Sequence, residues 1–402
     1  MNISGIITEY NPMHMGHIYH LAETKKICKS DAVICVMSGN FVQRGEPALI
    51  DKWSRASAAL SSGVDIVIEL PVVYSLSSAE FFAYGAVSLL NSIGNVSSLC
   101  FGSETGDIKD IYSIAKILTY EPDEYKTLLK SNLKSGLSFP SSRTRALNSY
   151  LQNSNTNLKS KLCSDIISSP NNILAVEYCK SLIKLNSSIA PQTIKRQGND
   201  YNDLRLKGTL SASAIRKALK SKNNISMFET NVPRAIFKIL NENIDNLTYM
   251  DSIFNFIKYK ILLDKNSLKK LPDVSEGIEN KIYNSIIESY DMDSLINSIK
   301  NKRYTYSRIS RILTQYFIGF DCYNTAELRK LPCPYARILG FTENGKKVLK
   351  LLKASSSIPL ITKVKNYDFD ALSLDLKATK AYSLINKKVH PLDDYYKKII
   401  IA

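Results

Sequence analysis

Residues 3–30, "ISGIITEYNPMHMGHIYHLAETKKICKS", decide the fold. The run "ISGIITEY" (3–10) is apolar enough to be buried on both faces, which suits a strand inside a parallel sheet. Asn11 and Pro12 then break it. From about His14 to Ser30 the spacing of Ile18, Leu21 and Ile27 predicts a helix, and Lys25, Lys26 and Lys29 gather toward its end, where cations complement the helix dipole. Strand, tight corner and helix in that order begin a βαβ series.

The series continues downstream. "DAVICVM" (31–37), "DIVIELP" (65–71) and "VSSLCFGSE" (96–104) read as strands, with "DKWSRASAALSSG" (51–63) and "SSAEFFAYGAVSLLNSI" (77–93) as the intervening helices. The fold class is therefore α/β, a doubly wound parallel sheet. Ligands of such sheets bind at the carboxyl ends of the strands, which singles out residues 8–17, 38–50, 71–76 and 101–107. Residues 107–186 read as mainly helical, "APQTIKR" (190–196) adds a strand, and "SASAIRKALKS" (211–221) is a helix with a serine cap. Beyond about 225 amphipathic helices dominate, and the tail from about 356 has room for strands. The expected organisation is a catalytic α/β domain over 1–225 and a mainly helical, basic region over 226–402.

With 402 residues, 44% hydrophobic and 22% charged, the chain can bury a large core and is neither disordered nor fibrous in composition. No apolar run approaches the roughly 18 residues of a membrane span. The apolar start is interrupted at Glu9 and lacks the basic lead and cleavage site of a signal peptide, so a cytoplasmic location is expected. Seven cysteines without a C-x-x-C pair argue against a disulfide framework and a structural zinc site, and no protein-bound metal is expected. The net charge of +16 is unevenly placed. Residues 1–150 hold 13 basic and 14 acidic side chains, whereas 151–402 hold 40 and 23. Compositional bias alone would charge both halves, so the basic portion points to a polyanion such as RNA.

Three of the four histidines, His14, His17 and His20, fall within seven residues at the first strand-to-helix corner. Such a corner favours anions through the free backbone N–H groups of the first turn and the positive helix end, and Gly16 lets a nucleotide approach closely. His14 and His17 share a helix face, where imidazoles can donate to phosphate oxygens as charge grows on them. Two other readings remain open: a metal trio, which lacks cysteine partners and the i, i+4 zinc spacing, and histidines with purely structural roles. His20, one turn deeper, fits a supporting role equally well.

At this point the blocks "GIITEYNPMHMGHIYHL" (5–21), "MSGNFVQRGEPALIDKWSRA" (37–56), "DIVIELP", "FGSETGD" (101–107), "SPNNILAVEY" (169–178), "IKRQGNDYND" (194–203) and "SASAIRKAL" (211–219) together resemble the tRNA(Met) cytidine acetate ligase family, within the HxGH nucleotidyltransferase superfamily. The resemblance covers about the first 220 residues and continues weakly through "KRYTYSRISRIL" and "YARILGF". It departs at Met13, where Phe is usual, and at Met15, where Asn is common. It implies a nucleotidyltransferase-type sheet and an enzyme that activates acetate with ATP and acetylates N4 of the wobble cytidine of elongator tRNA(Met). The ATP cradle it implies comprises Ile7, Thr8, Glu9, Tyr10, Asn11, Pro12, Met13, His14, Met15, Gly16, His17, Ile18, Tyr19 and His20, completed by Gly102, Asn171 and Arg196, with Mg2+ accompanying the nucleotide. Acetate is already ionised at neutral pH, so attack on the α-phosphate needs positioning and charge stabilisation, for which His14, His17 and Arg196 are the candidates.

Other segments offer weaker signals. In "SGNFVQRGEPAL" (38–49), Asn40, Gln43 and Arg44 can contact substrate, or the loop is a capped connection in which Arg44 pairs with Glu46. Ser211, Ser213 and Arg216 open a helix in the manner of a phosphate motif, with ordinary serine capping as the alternative. "NKRYTYSRISRIL" (301–313) interleaves Lys302, Arg303, Arg308 and Arg311 with Tyr304 and Tyr306, which suits RNA phosphates and stacked bases or, equally, an exposed helix face over buried aromatics. The rivals to an acetate ligase are a nucleotidyltransferase of a small molecule and an RNA-binding protein with an inactive nucleotide site.

Overall fold

The computed structural model describes residues 1–137, 139–153, 166–196, 210–221, 225–301, 303–365 and 367–402. Its strands are β1 (Ile3–Thr8), β2 (Ala32–Ser38), β3 (Phe41–Val42), β4 (Glu46–Pro47), β5 (Ile66–Leu70), β6 (Ser98–Ser103), β7 (Ala190–Lys195), β8 (Ala336–Phe341), β9 (Leu360–Ile361) and β10 (Ile400–Ile401). The chain forms two compact units, residues 1–96 with 198–402 and residues 97–197.

In the first unit β1, β2 and β5 are parallel neighbours, in register from Ile3 opposite Ala32 and from Ile34 opposite Ile66. Every residue of β2 and β5 is buried, as a sheet covered on both faces requires. The helices α1 (Met15–Ile27) and α2 (Lys52–Ser61) follow β1 and the β3–β4 hairpin. In the second unit β6 and β7 pair in parallel, from Ser98 opposite Ala190 to Ser103 opposite Lys195. The helices Ile108–Tyr120, Asp123–Lys134, Phe139–Asn153 and Pro170–Lys184 complete it.

This division differs from the expected break at 225, and the region 226–402 is not a separate helical unit. β8 pairs antiparallel with β5, and both β9 and β10 pair parallel with β8. The physical reason is that β5 would otherwise leave an edge of unpaired backbone groups, which β8 covers. The helix Tyr306–Ile318 is tied down in the same way: Thr314 Oγ1 donates to the Gly45 carbonyl (2.7 Å) and Gln315 Nε2 to the Leu76 carbonyl (2.8 Å).

A buried ionic cluster fastens these C-terminal elements to the sheet. Lys52 Nζ lies 2.7 Å from Glu69 Oε1 and 2.8 Å from Asp394 Oδ1, and Arg337 Nη1 lies 2.8 Å from the same Asp394 oxygen. Asp375, on the helix Asp370–Ser383, accepts from Val72 N–H (2.6 Å) and from the Tyr335 hydroxyl (2.6 Å). Burial, reinforced by the neighbouring Glu69, pushes the Asp375 carboxyl up to about 8, so two cations face two carboxylates and a neutral acid at pH 7.

Lys52→Met strands Glu69 and Asp394, and denaturant titration should record a loss of about 3–5 kcal/mol. Asp375→Asn keeps the neutral shape and should cost at most about 1 kcal/mol near pH 7. A carboxyl whose folded pKa is raised stabilises below its unfolded pKa, and that contribution is lost as pH climbs. The wild-type chain should therefore lose stability relative to Asp375→Asn between about pH 4 and pH 8. Parallel pH profiles for the two would mean that Asp375 is ionised when folded.

Candidate active site

The corner after β1 is built on a buried arginine. Arg55, on α2 and 0% exposed, donates from Nε to the Ile50 carbonyl (3.0 Å), from Nη1 to the carbonyls of Glu9 (2.6 Å) and Ser38 (3.0 Å), and from Nη2 to that of Gly39. One guanidinium thus holds together the carboxyl ends of β1 and β2. Beyond β1, Tyr10 turns the chain with φ 49°, a left-handed conformation unusual for a tyrosine, and the Asn11–Pro12 bond is cis. Asn11 Oδ1 accepts from Leu49 N–H (2.7 Å), and Glu9 Oε1 accepts from Gln43 N–H (2.7 Å), which joins the corner to the 38–50 loop. Burial raises the Glu9 carboxyl and opposes the lowering influence of Arg44 and Arg216.

α1 begins with a capping box made of two histidines. The Gly16 N–H donates to His14 Nδ1 (3.1 Å) and the His14 N–H to His17 Nδ1 (3.1 Å), with the ring centroids 3.9 Å apart. A neutral imidazole that accepts at Nδ1 carries its proton on Nε2, so both rings are set as Nε2–H donors. Tyr10 packs edge-on against His17 at 5.0 Å. The expectation of free first-turn amides is corrected: Met15 N–H donates to the Asn231 carbonyl (2.9 Å), Gly16 N–H to His14 and His17 N–H to the His14 carbonyl (2.8 Å). Thr8, Tyr10 and Met13 are buried, the Thr8 hydroxyl against Cys35 Sγ (3.1 Å), whereas Ile7, Ile18, Tyr19 and His20 are half-buried and Met15 is exposed.

Three sequence candidates from distant segments meet in one cavity of about 570 Å³, where Arg44, Ser213 and Arg216 line a wall with Glu46, Tyr249 and Tyr306. Arg216 Nη1 donates to the Asn11 carbonyl (2.7 Å), and its Nη2 pairs with Glu46 Oε2 (3.2 Å). Glu46 is therefore the partner of Arg216, where the sequence suggested Arg44. Ser211 caps its helix by accepting from Ala214 N–H (3.3 Å) and meets the Ser213 hydroxyl at 3.0 Å. Asn40 is buried in a structural role, accepting from Lys52 N–H (2.9 Å) and donating to Thr379 (3.3 Å).

Gly102, Asn171 and Arg196 come together in the second unit. Arg196 Nη1 donates to Asn171 Oδ1 (3.3 Å), and a Cβ on Gly102 would press to 3.3 Å from Arg196 Cγ. Glu104 holds the arrangement by accepting from Asn171 Nδ2 (2.6 Å) and Asn172 N–H (2.8 Å).

In the basic segment Arg303 and Tyr304 follow the reading of an exposed face over buried aromatics, and Arg311 follows neither reading. Lys302 lies outside the described residues. Arg303 is exposed and pairs with Glu276 (2.6 Å), and Arg308 donates to the Asp273 carbonyl (3.0 Å) and Ser275 (2.8 Å). Arg311 is buried 3.5 Å from the Asp273 carboxylate, which Arg329 also engages at 2.7 Å, so its guanidinium is committed to the interior. Tyr304 is buried, while Tyr306 faces the cavity.

A mostly parallel α/β sheet with an H-x-G-H helix start at the end of its first strand defines a nucleotidyltransferase fold, and the HIGH Nucleotidyl Transferase family model matches residues 1–395. The tRNA(Met) cytidine acetate ligase of Clostridium acetobutylicum is 70% identical over 402 residues, covering 100% of both chains, and that of Clostridium novyi is 53% identical over 398 residues, covering 98% of each. The crystal structure of Thermotoga maritima TmcAL bound with alpha-thio ATP covers 100% of this chain and 99% of its own at 33% identity, with a TM-score of 0.90. The chain belongs to the tRNA(Met) cytidine acetate ligase family.

Sequence reasoning missed Arg55, Lys52, Glu69 and Glu104. A charge inside an otherwise apolar strand or alanine-rich helix was the available signal for the first three. Gly45 positions the loop that carries Arg44 and Glu46: its φ is +85°, and a Cβ there would collide with the backbone of Ser310 and Arg311. Gly45→Ala should cost more than about 1 kcal/mol in urea titration.

Proposed function

We propose that the chain is an ATP-dependent ligase that activates acetate as acetyl-AMP and acetylates N4 of the wobble cytidine (C34) of elongator tRNA(Met). The observation that carries this reading is the histidine capping box, which holds two Nε2–H donors at the carboxyl edge of the sheet. Full-length likeness to named acetate ligases and to a solved relative bound with alpha-thio ATP supports it.

In the first step an acetate oxygen attacks the α-phosphorus of ATP. A new P–O bond forms, the bond to the β-phosphate oxygen breaks, and pyrophosphate leaves. His14 and His17 donate to the phosphate oxygens as charge grows on them; in the second unit Asn171 orients Arg196, a candidate nucleotide-binding cation on the family resemblance. Ile7–Thr8, Glu9–Met13 and Met15–His20 supply the walls and turns that present these groups, and Gly102 leaves room for the Arg196 stem. In the second step the cytosine amine attacks the acetyl carbonyl, a C–N bond forms, the C–O bond to AMP breaks, and the amine proton is released. No covalent enzyme intermediate is needed.

Among the described residues no three His, Cys, Asp or Glu side chains gather to hold a metal, so Mg2+ is assigned to the triphosphate. Among them, too, no helix is long and apolar enough to cross a membrane, and a tRNA substrate goes with a cytoplasmic location. The excess positive charge beyond residue 150 suits the RNA.

Acetate-dependent exchange of labelled pyrophosphate into ATP tests the reading; no exchange at saturating acetate would overturn it. His14→Ala and His14→Asn separate the two duties of His14. Asn can replace the cap, so only Ala should cost about 1 kcal/mol of stability. Both variants should lose exchange by about 100-fold. Full exchange in His14→Asn would make the histidine a cap alone.

A further inference from the structure

We propose that the cavity beside the corner receives the base to be acetylated, with Glu46 reading its exocyclic amine and Tyr306 stacking on its ring; this rests on the ligase reading above. At about 570 Å³ the cavity has the size of small-molecule and nucleotide sites and far exceeds what acetate needs. Its lining has the chemistry of single-strand recognition. Tyr249 and Tyr306 line it with aromatic rings on which a base can stack, and Lys217, which has no acidic partner among the described residues, offers a cation for a backbone phosphate.

The carboxylates decide the base. Cytosine presents an N4 amine, a donor that a carboxylate accepts, whereas uracil presents a carbonyl oxygen that a carboxylate repels. Two acidic residues line the cavity, Glu46 and Asp293. The Asp293 side chain is 67% exposed and lies 3.9 Å from Lys220, itself bound to Asp251 at 2.5 Å. The Glu46 side chain is 22% exposed, and Arg216 fixes its Oε2 at 3.2 Å, which leaves Oε1 without a partner among the described residues. The same guanidinium donates to the Asn11 carbonyl, so the carboxylate is indexed to the H-x-G-H corner. An amine bound at Glu46 is thereby held in register with the site of acetate activation.

The test uses the full-length chain and two anticodon stem-loop RNAs of elongator tRNA(Met), identical except for cytidine or uridine at the wobble position. The wild-type chain should bind the cytidine RNA at least about fivefold more tightly, and Glu46→Ala should bring the two within about twofold. Tyr306→Ala should weaken both RNAs by about tenfold and keep the ratio, with Tyr306→Phe restoring affinity. Equal wild-type affinities, a ratio that survives Glu46→Ala, or a Tyr306→Ala defect that falls on the KM for ATP instead of on RNA binding would each overturn the assignment. Loss of the ligase reading itself would show separately, as wild-type chain without acetate-dependent exchange.

Discussion

Arg55 is the constraint on which the corner depends. The carboxyl ends of parallel strands leave carbonyl groups that no neighbouring strand satisfies, and these sit where a ligand must bind. Arg55 answers three of them from one buried position, on Glu9, Ser38 and Gly39, and binds the Ile50 carbonyl ahead of its own helix as well. Burial works against its charge, and the ring of carbonyls offsets that cost. A lysine, with a single nitrogen, could not span the three segments. The turn at Tyr10, the Glu9 contact with the 38–50 loop and the start of α1 all inherit their position from this fork.

The second constraint is the buried set of Lys52, Glu69, Arg337 and Asp394, which commits the C-terminal elements to the same unit as the H-x-G-H motif. It explains why residues beyond 225 do not stand apart. β8 supplies the antiparallel neighbour that β5 lacks, and the helix Tyr306–Ile318 lies against the loop that carries Arg44 and Glu46. The H-x-G-H corner, the cavity and residues 226–402 are parts of one unit.

Hydrophobic runs and their punctuation made β1, β2, β5, β6 and β7 legible, along with the helix that opens at His14. The same pattern could not show that β8 crosses from the far end of the chain, because an apolar run of six residues says nothing about its partner. The isolated histidines pointed to His14 and His17, and the resemblance that the motifs carry pointed to Gly102, Asn171 and Arg196, which do meet one another. Their hydrogen bonding was not legible. Capping by imidazoles replaces the expected free amides, and Arg311, which reads as a surface cation, is buried because Asp273 and Arg329 lie around it. Glu46 was seen only as a partner for Arg44, since the 170 residues separating it from Arg216 hide their contact.

The two imidazoles, locked at Nδ1 by backbone N–H groups, are expected to face a bound nucleotide through Nε2. A crystal structure of this chain with a non-hydrolysable ATP analogue tests it most directly. The expected result is both Nε2 atoms at about 3 Å from phosphate oxygens, with the Nδ1 contacts to Gly16 and His14 retained. Phosphates bound away from His14 and His17, or rings turned so that Nδ1 meets the phosphate, would contradict it.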